Sequence, residues 1–261
     1  MAFVDESSTA RSSGSRIISR ILPPAIRLWL VSQVEHVEDL VFQIEGGDRD
    51  ILSGYIPEVT LSARRAVYEG IHLSQVAVKA SEISINLGQV IRRKPLRLLK
   101  AFPVSGNVIL TTEDFNRSLQ SPLLSEGIYD FLRLLVRSQS DAAQLQAIVD
   151  ELPERSVASH YQPTASIEAN QIALKLTPKK DKHVPPILIT TQLDIKNGHQ
   201  LCLINPHWSI NEDASSKTPL QNLEGFAIDL GSEVALTECS IVADQLVLAG
   251  TIQVLPTDET E

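Results

Sequence analysis

The chain is poor in the clusters that catalysis and metal binding need. Its two cysteines, Cys202 and Cys239, are too few for a disulfide framework. Each sits in an apolar, strand-like run (Leu201 to Ile204, Cys239 to Val242), where a small buried hydrophobe is the simplest reading. The six histidines, His36, His72, His160, His183, His199 and His207, form no His-x-x-x-His pair, and there is no Cys-x-x-Cys. A zinc site therefore finds no support. A Gly-x-Ser-x-Gly elbow and a Ser-x-x-Lys pair are both missing. Glu35, Glu38 and Asp39 do cluster, but at the spacing of a solvated helix end rather than of an acid–base pair. The expectation is a protein that is not an enzyme and has no cofactor or metal.

Other absences narrow the partners. No glycine-rich phosphate loop follows a strand pattern, which argues against a nucleotide-binding α/β fold. Residues 1–100 carry 13 Lys and Arg against 11 Asp and Glu, and residues 101–261 carry 10 against 21, so the net charge of −9 lies in the second part. Without a long basic stripe, nucleic acid is excluded as the main partner. The most apolar early stretch, Ile17 to Val34, is broken by Arg20, Arg27 and Pro23-Pro24 and is not a membrane-spanning pattern. Met1 to Ser15 carry Asp5 and Glu6 where a secretory signal would be basic and then apolar. A cytoplasmic location, peripheral at a membrane, is expected.

What is present is an alternation of strand and helix patterns within 261 residues of ordinary globular composition. Residues 1–15 read as a disordered leader, 16–255 as one domain and 256–261 as an acidic tail. Ile18, Ile21, Leu22, Ala25, Ile26, Leu28 and Trp29 fall in one helical arc, with Arg16, Arg20 and Arg27 opposite. Because Pro23-Pro24 interrupts it, the spacing predicts a helix from about Pro24 to about His36. The period then changes to two. Between Ile71 and Leu87 the apolar positions switch parity twice, from Ile71 and Leu73 to Val76, Val78 and Ala80, then to Ile83, Ile85 and Leu87. A flat strand cannot do this, so a bulge or bend is predicted at each switch. Thr111-Thr112-Glu113-Asp114 is a helix start. After Pro122, Leu124, Ile128, Phe131, Leu132 and Leu135 follow helical spacing, either as a core helix on a sheet or facing a ligand. Ile167 to Leu176 changes parity and predicts another bulge. Asn197-Gly198 predicts a hairpin, and Ala243-Asp244-Gln245 a turn between closing strands. Strands segregated from helices make this α+β.

Two segments suggest contact with something both anionic and apolar. The Arg16 to Val34 segment combines an arginine edge, an apolar arc and Trp29; it suits a headgroup boundary and equally suits a helix covered by a sheet. Ile91 to Lys100 interleaves five cations with leucines, as a polybasic membrane contact or as a solvated loop.

The chain also contains an ordered series of short motifs. These are Leu22-Pro23-Pro24-Ala25, Ser32-Gln33-Val34-Glu35, Asp48 to Gly54, and Ala66-Val67-Tyr68-Glu69-Gly70-Ile71. Ile85-Asn86-Leu87-Gly88-Gln89-Val90, Leu110 to Asn116 and Ser118-Leu119-Gln120-Ser121-Pro122 follow. Together they resemble the LmeA-like phospholipid-binding family, in the form common in photosynthetic bacteria, over about residues 20–255. The resemblance implies a long curved antiparallel β-sheet wrapped around helices, similar to tubular lipid-binding folds, with phospholipid in an apolar groove and neither reaction nor cofactor. It carries over no site residue by residue. On physical grounds the candidate lipid-binding residues are Leu28, Trp29, Ile128, Leu132 and Leu135, and the candidate membrane-surface residues are Arg16, Arg20, Arg27, Arg92, Arg93 and Lys94. The expected partners are phospholipid or another lipid and a membrane surface. The alternative is a membrane-associated assembly factor whose partner is a protein segment.

Overall fold

The computed structural model describes residues 20–138, 161–168, 170–179, 185–210, 218–220, 223–242 and 244–256. The expected leader 1–15, Arg16 and residues 257–261 of the acidic tail lie outside them.

Helix α1 (Leu22–Ser32) carries Pro23 and Pro24 in its first turn, where a missing N–H costs no intrahelical bond. It stops at Ser32 rather than near His36. The next residues are claimed by a sheet: the Glu35 N–H donates to the Val67 carbonyl at 3.0 Å, and strand β1 (His36–Glu45) begins. After the short helix α2 (Asp48–Leu52), β2 (Tyr55–Tyr68) and β3 (Ile71–Ser84) form a hairpin of two 14-residue strands. Helix α3 (Leu87–Val90) leads through the basic loop to β4 (Phe102–Thr111). Helices α4 (Thr112–Ser118) and α5 (Pro122–Ser138) follow. The remaining strands are β5 (Tyr161–Glu168), β6 (Gln171–Pro178), β7 (Ile187–Lys196), β8 (Gln200–Ile210), β9 (Thr218–Pro219), β10 (Ala227–Asp229), β11 (Val234–Val242) and β12 (Gln245–Val254).

Among the described residues these strands form two open antiparallel sheets, not the one long sheet expected. The first has the order β1-β2-β3-β4-β12-β11; the second has β10-β8-β7-β6-β5, with β9 on β8. They meet where Leu110 and Leu246 of the first pack with Ile167 and Ile172 of the second. At the other end of the first sheet, Leu22 and Ile26 of α1 pack with Ile56, Val59 and Ile83. A third cluster places Phe131 and Leu132 of α5 on the second sheet with Leu176, Ile187 and Ile189.

Both parity switches of β3 occur where the spacing placed them, but their cause is not an inserted residue. Cα pairing of β2 with β3 keeps one register from Tyr55↔Ser84 to Tyr68↔Ile71. The breaks fall at Glu82 (φ +58°), opposite Pro57, and at Arg65 (φ +47°), opposite Ser74. A single left-handed residue kinks the pair, and both strands switch parity together. Ile83, Ala80 and Leu73 therefore all reach cores on the inner side. The parity change at Ile167 to Leu176, by contrast, is a hairpin: Glu168 pairs with Gln171, and Asn170 has φ +64°. Its connection has no glycine, so it lacks the usual turn signal. The turns at Asn197-Gly198 (φ +56° and +76°) and before Gln245 form as predicted.

The helix start at Thr111 is a full capping box. The Asp114 N–H donates to Thr111 Oγ1 at 3.2 Å and the Thr111 N–H to Asp114 Oδ2 at 3.0 Å. Ser74 and the Thr111 hydroxyl also donate to the Asp114 carboxylate, which is only 6% exposed. Burial pushes the Asp114 pKa up, but these hydrogen bonds and the charge of Arg117 outweigh it and hold the carboxyl below its ordinary value.

Candidate functional site

Pairing in the first sheet puts opposite residues on one face, so the face can be read row by row. One row is Ile44, Val59, Ala80, Val104, Ile252 and Val234; the next is Phe42, Leu61, Val78, Gly106, Gly250 and Leu236. A third contains Ala63, Val76, Val108, Leu248 and Cys239. Every one of these residues is apolar. The reverse face, in the row Gln43, Thr60, Lys79, Ser105 and Thr251, is polar. This is the division expected when one side of an antiparallel sheet is wet and the other is not.

The ends of the apolar face are occupied. Ile44, Val59, Ala80 and Val104 pack with α1, while Val108, Leu248 and Cys239 pack toward the second sheet. In the middle row Leu61, Val78 and Leu236 are half-buried and belong to neither cluster. Between them Gly106 and Gly250 pair directly. A Cβ on Gly106 would lie 2.1 Å from the Ala77 carbonyl oxygen, and one on Gly250 2.5 Å from that of Ala235. At these two positions the row carries no side chain, so the apolar face dips there into a trough between the two packed ends.

A second feature lies at the α1 end. Ile21, Ala25, Leu28, Trp29 and Ser32 of α1 face Val90, Arg93, Lys94, Pro95 and Leu96 across a cavity of about 470 Å³. The two segments singled out in the sequence thus meet. The helix divides its apolar arc: Leu22 and Ile26 are buried against the sheet, whereas Ile21, Ala25, Leu28 and Trp29 turn to the cavity, with Leu28 73% exposed. The loop is held by Asn86. Its Nδ2 donates to the Pro95 carbonyl at 3.0 Å, and its Oδ1 accepts from the Arg97 N–H at 2.8 Å. Nothing in the sequence marked Asn86 apart from its place in a motif, because its partners are 9 and 11 residues away in an irregular loop.

The other candidate residues are placed as follows. Arg92 is exposed beside the cavity-lining pair, and Arg20 is exposed at the N-terminal end of α1. Arg27 is tied to the sheet, with Nη1 donating to the Leu40 carbonyl at 3.3 Å. Leu132 is fully buried in the α5 cluster and Ile128 packs against it, so both stand apart from Leu28 and Trp29. The Leu135 side chain lies outside the described set. Cys202 is buried and Cys239 is half-buried, both free. Burial, with the charge of Asp194, pushes the Cys239 thiol up to about 11. Among the described residues no group of His, Cys, Asp and Glu could hold a metal ion, and no helix is long and apolar enough to cross a membrane.

No curated protein and no solved structure matches the chain. A family model described as LmeA-like phospholipid-binding matches residues 14–251. With nearly the whole chain matched, and with an apolar sheet face and an amphipathic cavity both present, the protein belongs to the LmeA-like phospholipid-binding family.

Proposed function

We propose that this protein binds phospholipid at the cytoplasmic surface of a membrane and leaves it chemically unchanged. The observation that carries this reading is the middle row of the first sheet, where Leu61, Val78 and Leu236 flank the Gly106–Gly250 pair between two packed ends. Each methylene of an acyl chain moved from water onto such a surface gains about 0.8 kcal/mol. A chain of ordinary length therefore needs no specific polar chemistry to bind. The kinks at Arg65 and Glu82 lie on either side of this row, which supports a curved sheet of the tubular lipid-binding kind.

Native mass spectrometry of the full chain after mixing with phospholipid vesicles tests this. The expected result is a protein–phospholipid adduct, with the released lipid intact, and a smaller adduct fraction for Val78→Asp. Absence of any lipid adduct from the wild-type chain would overturn the binding reading. Release of fatty acid or lysophospholipid would overturn the non-catalytic one.

A further inference from the structure

The cavity between α1 and the basic loop has features that an acyl chain alone does not require. Arg93 adopts φ +62°, a left-handed conformation for a long charged residue. Its N–H donates to the Val90 carbonyl at 2.9 Å, and the Lys94 N–H to the Gln89 carbonyl at 3.0 Å. That pair of bonds is a Schellman turn closing α3, with Arg93 in the place that glycine usually takes because it lacks a Cβ. The strain is maintained from outside the turn. Asn86 grips the Pro95 carbonyl and the Arg97 N–H, and the Leu99 N–H donates to the Ser84 carbonyl at 2.8 Å.

Arg93 and Lys94 are thus fixed at the cavity, opposite Ile21, Leu28 and Trp29. Among the described residues Arg92, Arg93 and Lys94 form no ion pair. The cavity volume of about 470 Å³ is that of a small-ligand site, for which roughly 300–1,000 Å³ is usual. Cations without carboxylates beside an apolar wall suit an amphiphile whose polar end is a phosphate. A headgroup with its own ammonium would bring a like charge to that rim.

We propose that this cavity is a headgroup site that selects anionic over zwitterionic phospholipid. Arg93 and Lys94 contact the phosphate, and Asn86 is their positioning residue. Trp29 and Leu28 lie against the first part of the chains, where an indole sits well at a bilayer boundary. The inference rests on the lipid-binding reading for the class of ligand, but on different residues from those of the sheet face.

Co-sedimentation of the full chain with phosphatidylcholine vesicles, and with vesicles containing phosphatidylglycerol as well, tests it. The wild-type chain should favour the second kind. Arg93→Gly and Lys94→Gln should each lower that partition about fivefold, the factor matching about 1 kcal/mol per cation at an anionic surface. Arg93→Gly places glycine in a left-handed position, so it should melt no lower than wild type, and its loss would not reflect unfolding. Asn86→Ala keeps every charge and should also weaken the preference.

Equal partition of the wild type onto both vesicles would overturn the proposal; lipid adducts in the mass spectrum would then leave the binding reading standing alone. An equal loss on Lys100→Gln, which removes a loop cation outside the cavity, would reduce the effect to diffuse charge and overturn the site. Full displacement by inorganic phosphate at matched ionic strength would mark a free-phosphate site instead. An intact anionic preference without any lipid adduct would uphold the headgroup site and remove the acyl-chain reading.

Discussion

The side-chain amide of Asn116 pairs with the backbone of Ala165 as a neighbouring strand would. Nδ2 donates to the Ala165 carbonyl at 2.7 Å, and Oδ1 accepts from the Ala165 N–H at 2.8 Å. The Thr112 hydroxyl accepts from the Ile167 N–H at 3.2 Å. Helix α4 thereby covers the edge of β5, and its capping box joins that edge to Ser74 in the first sheet. Replacing Asn116 with Ala should leave two backbone groups beside a buried residue without partners. The expected loss is about 2–3 kcal/mol of unfolding free energy, read by urea denaturation. Asn116→Asp keeps one acceptor but sets a carboxylate against a carbonyl, and should be no better.

Asp114 gives the same junction a pH dependence. Its carboxyl is held below its ordinary pKa in the folded chain, so its contribution is complete above the unfolded value of about 3.9. That contribution is lost as pH falls through the lower folded value. Thermal melts between neutral pH and about pH 3 should show wild-type stability falling toward that of Asp114→Asn. At neutral pH the variant should be about 1–2 kcal/mol less stable, as for loss of a helix cap.

The glycine pair in the trough should not tolerate a methyl group. Gly106→Ala and Gly250→Ala each force a Cβ into a neighbouring carbonyl, at a cost of about 3 kcal/mol by analogy with overpacked cores. Gly88→Ala, where a Cβ would meet nothing within 4 Å, should be close to neutral and serves as the control. Chemical denaturation curves of the three variants separate these outcomes.

Thiol chemistry should be slow throughout. Cys202 is 3% exposed, and Cys239 has a pKa pushed to about 11, which leaves little thiolate at neutral pH. Labelling by a water-soluble maleimide at pH 7 should proceed far more slowly than for a free thiol, and should accelerate on addition of denaturant.

Local features were legible in the sequence where a physical rule operates within a few residues. The parity switches located both kinks of β3, because alternation reports which side each residue takes. The capping box at Thr111 and the Asn197-Gly198 turn were equally plain. Pairings across long separations were not: nothing in the alternation of β4 shows that it lies between β3 and β12, and the division of the strands between two sheets was hidden for the same reason. The candidate site followed the same pattern. Leu28, Trp29, Arg93 and Lys94 were each visible by residue type, whereas their meeting across one cavity depends on Asn86 and on the packing of Leu22 and Ile26. Leu132 had the same helical signature as Leu28, yet it is buried where Leu28 is exposed, because periodicity does not say what an apolar face will meet.

The β2–β3 hairpin runs from the cavity to the junction between the sheets, about 46 Å for 14 residues at roughly 3.3 Å each. The cavity is built from residues 21–96, and its loop carries Arg92, Arg93, Lys94, Arg97 and Lys100, whereas residues 161–229, which supply the second sheet, carry six Lys and Arg against seven Asp and Glu. Positive charge is thus concentrated beside the cavity and nearly balanced in the second sheet. Near an anionic layer such a loop is drawn inward within about a Debye length, roughly 8 Å at physiological salt, before any contact forms. The end that arrives first is then the one carrying Arg93 and Trp29.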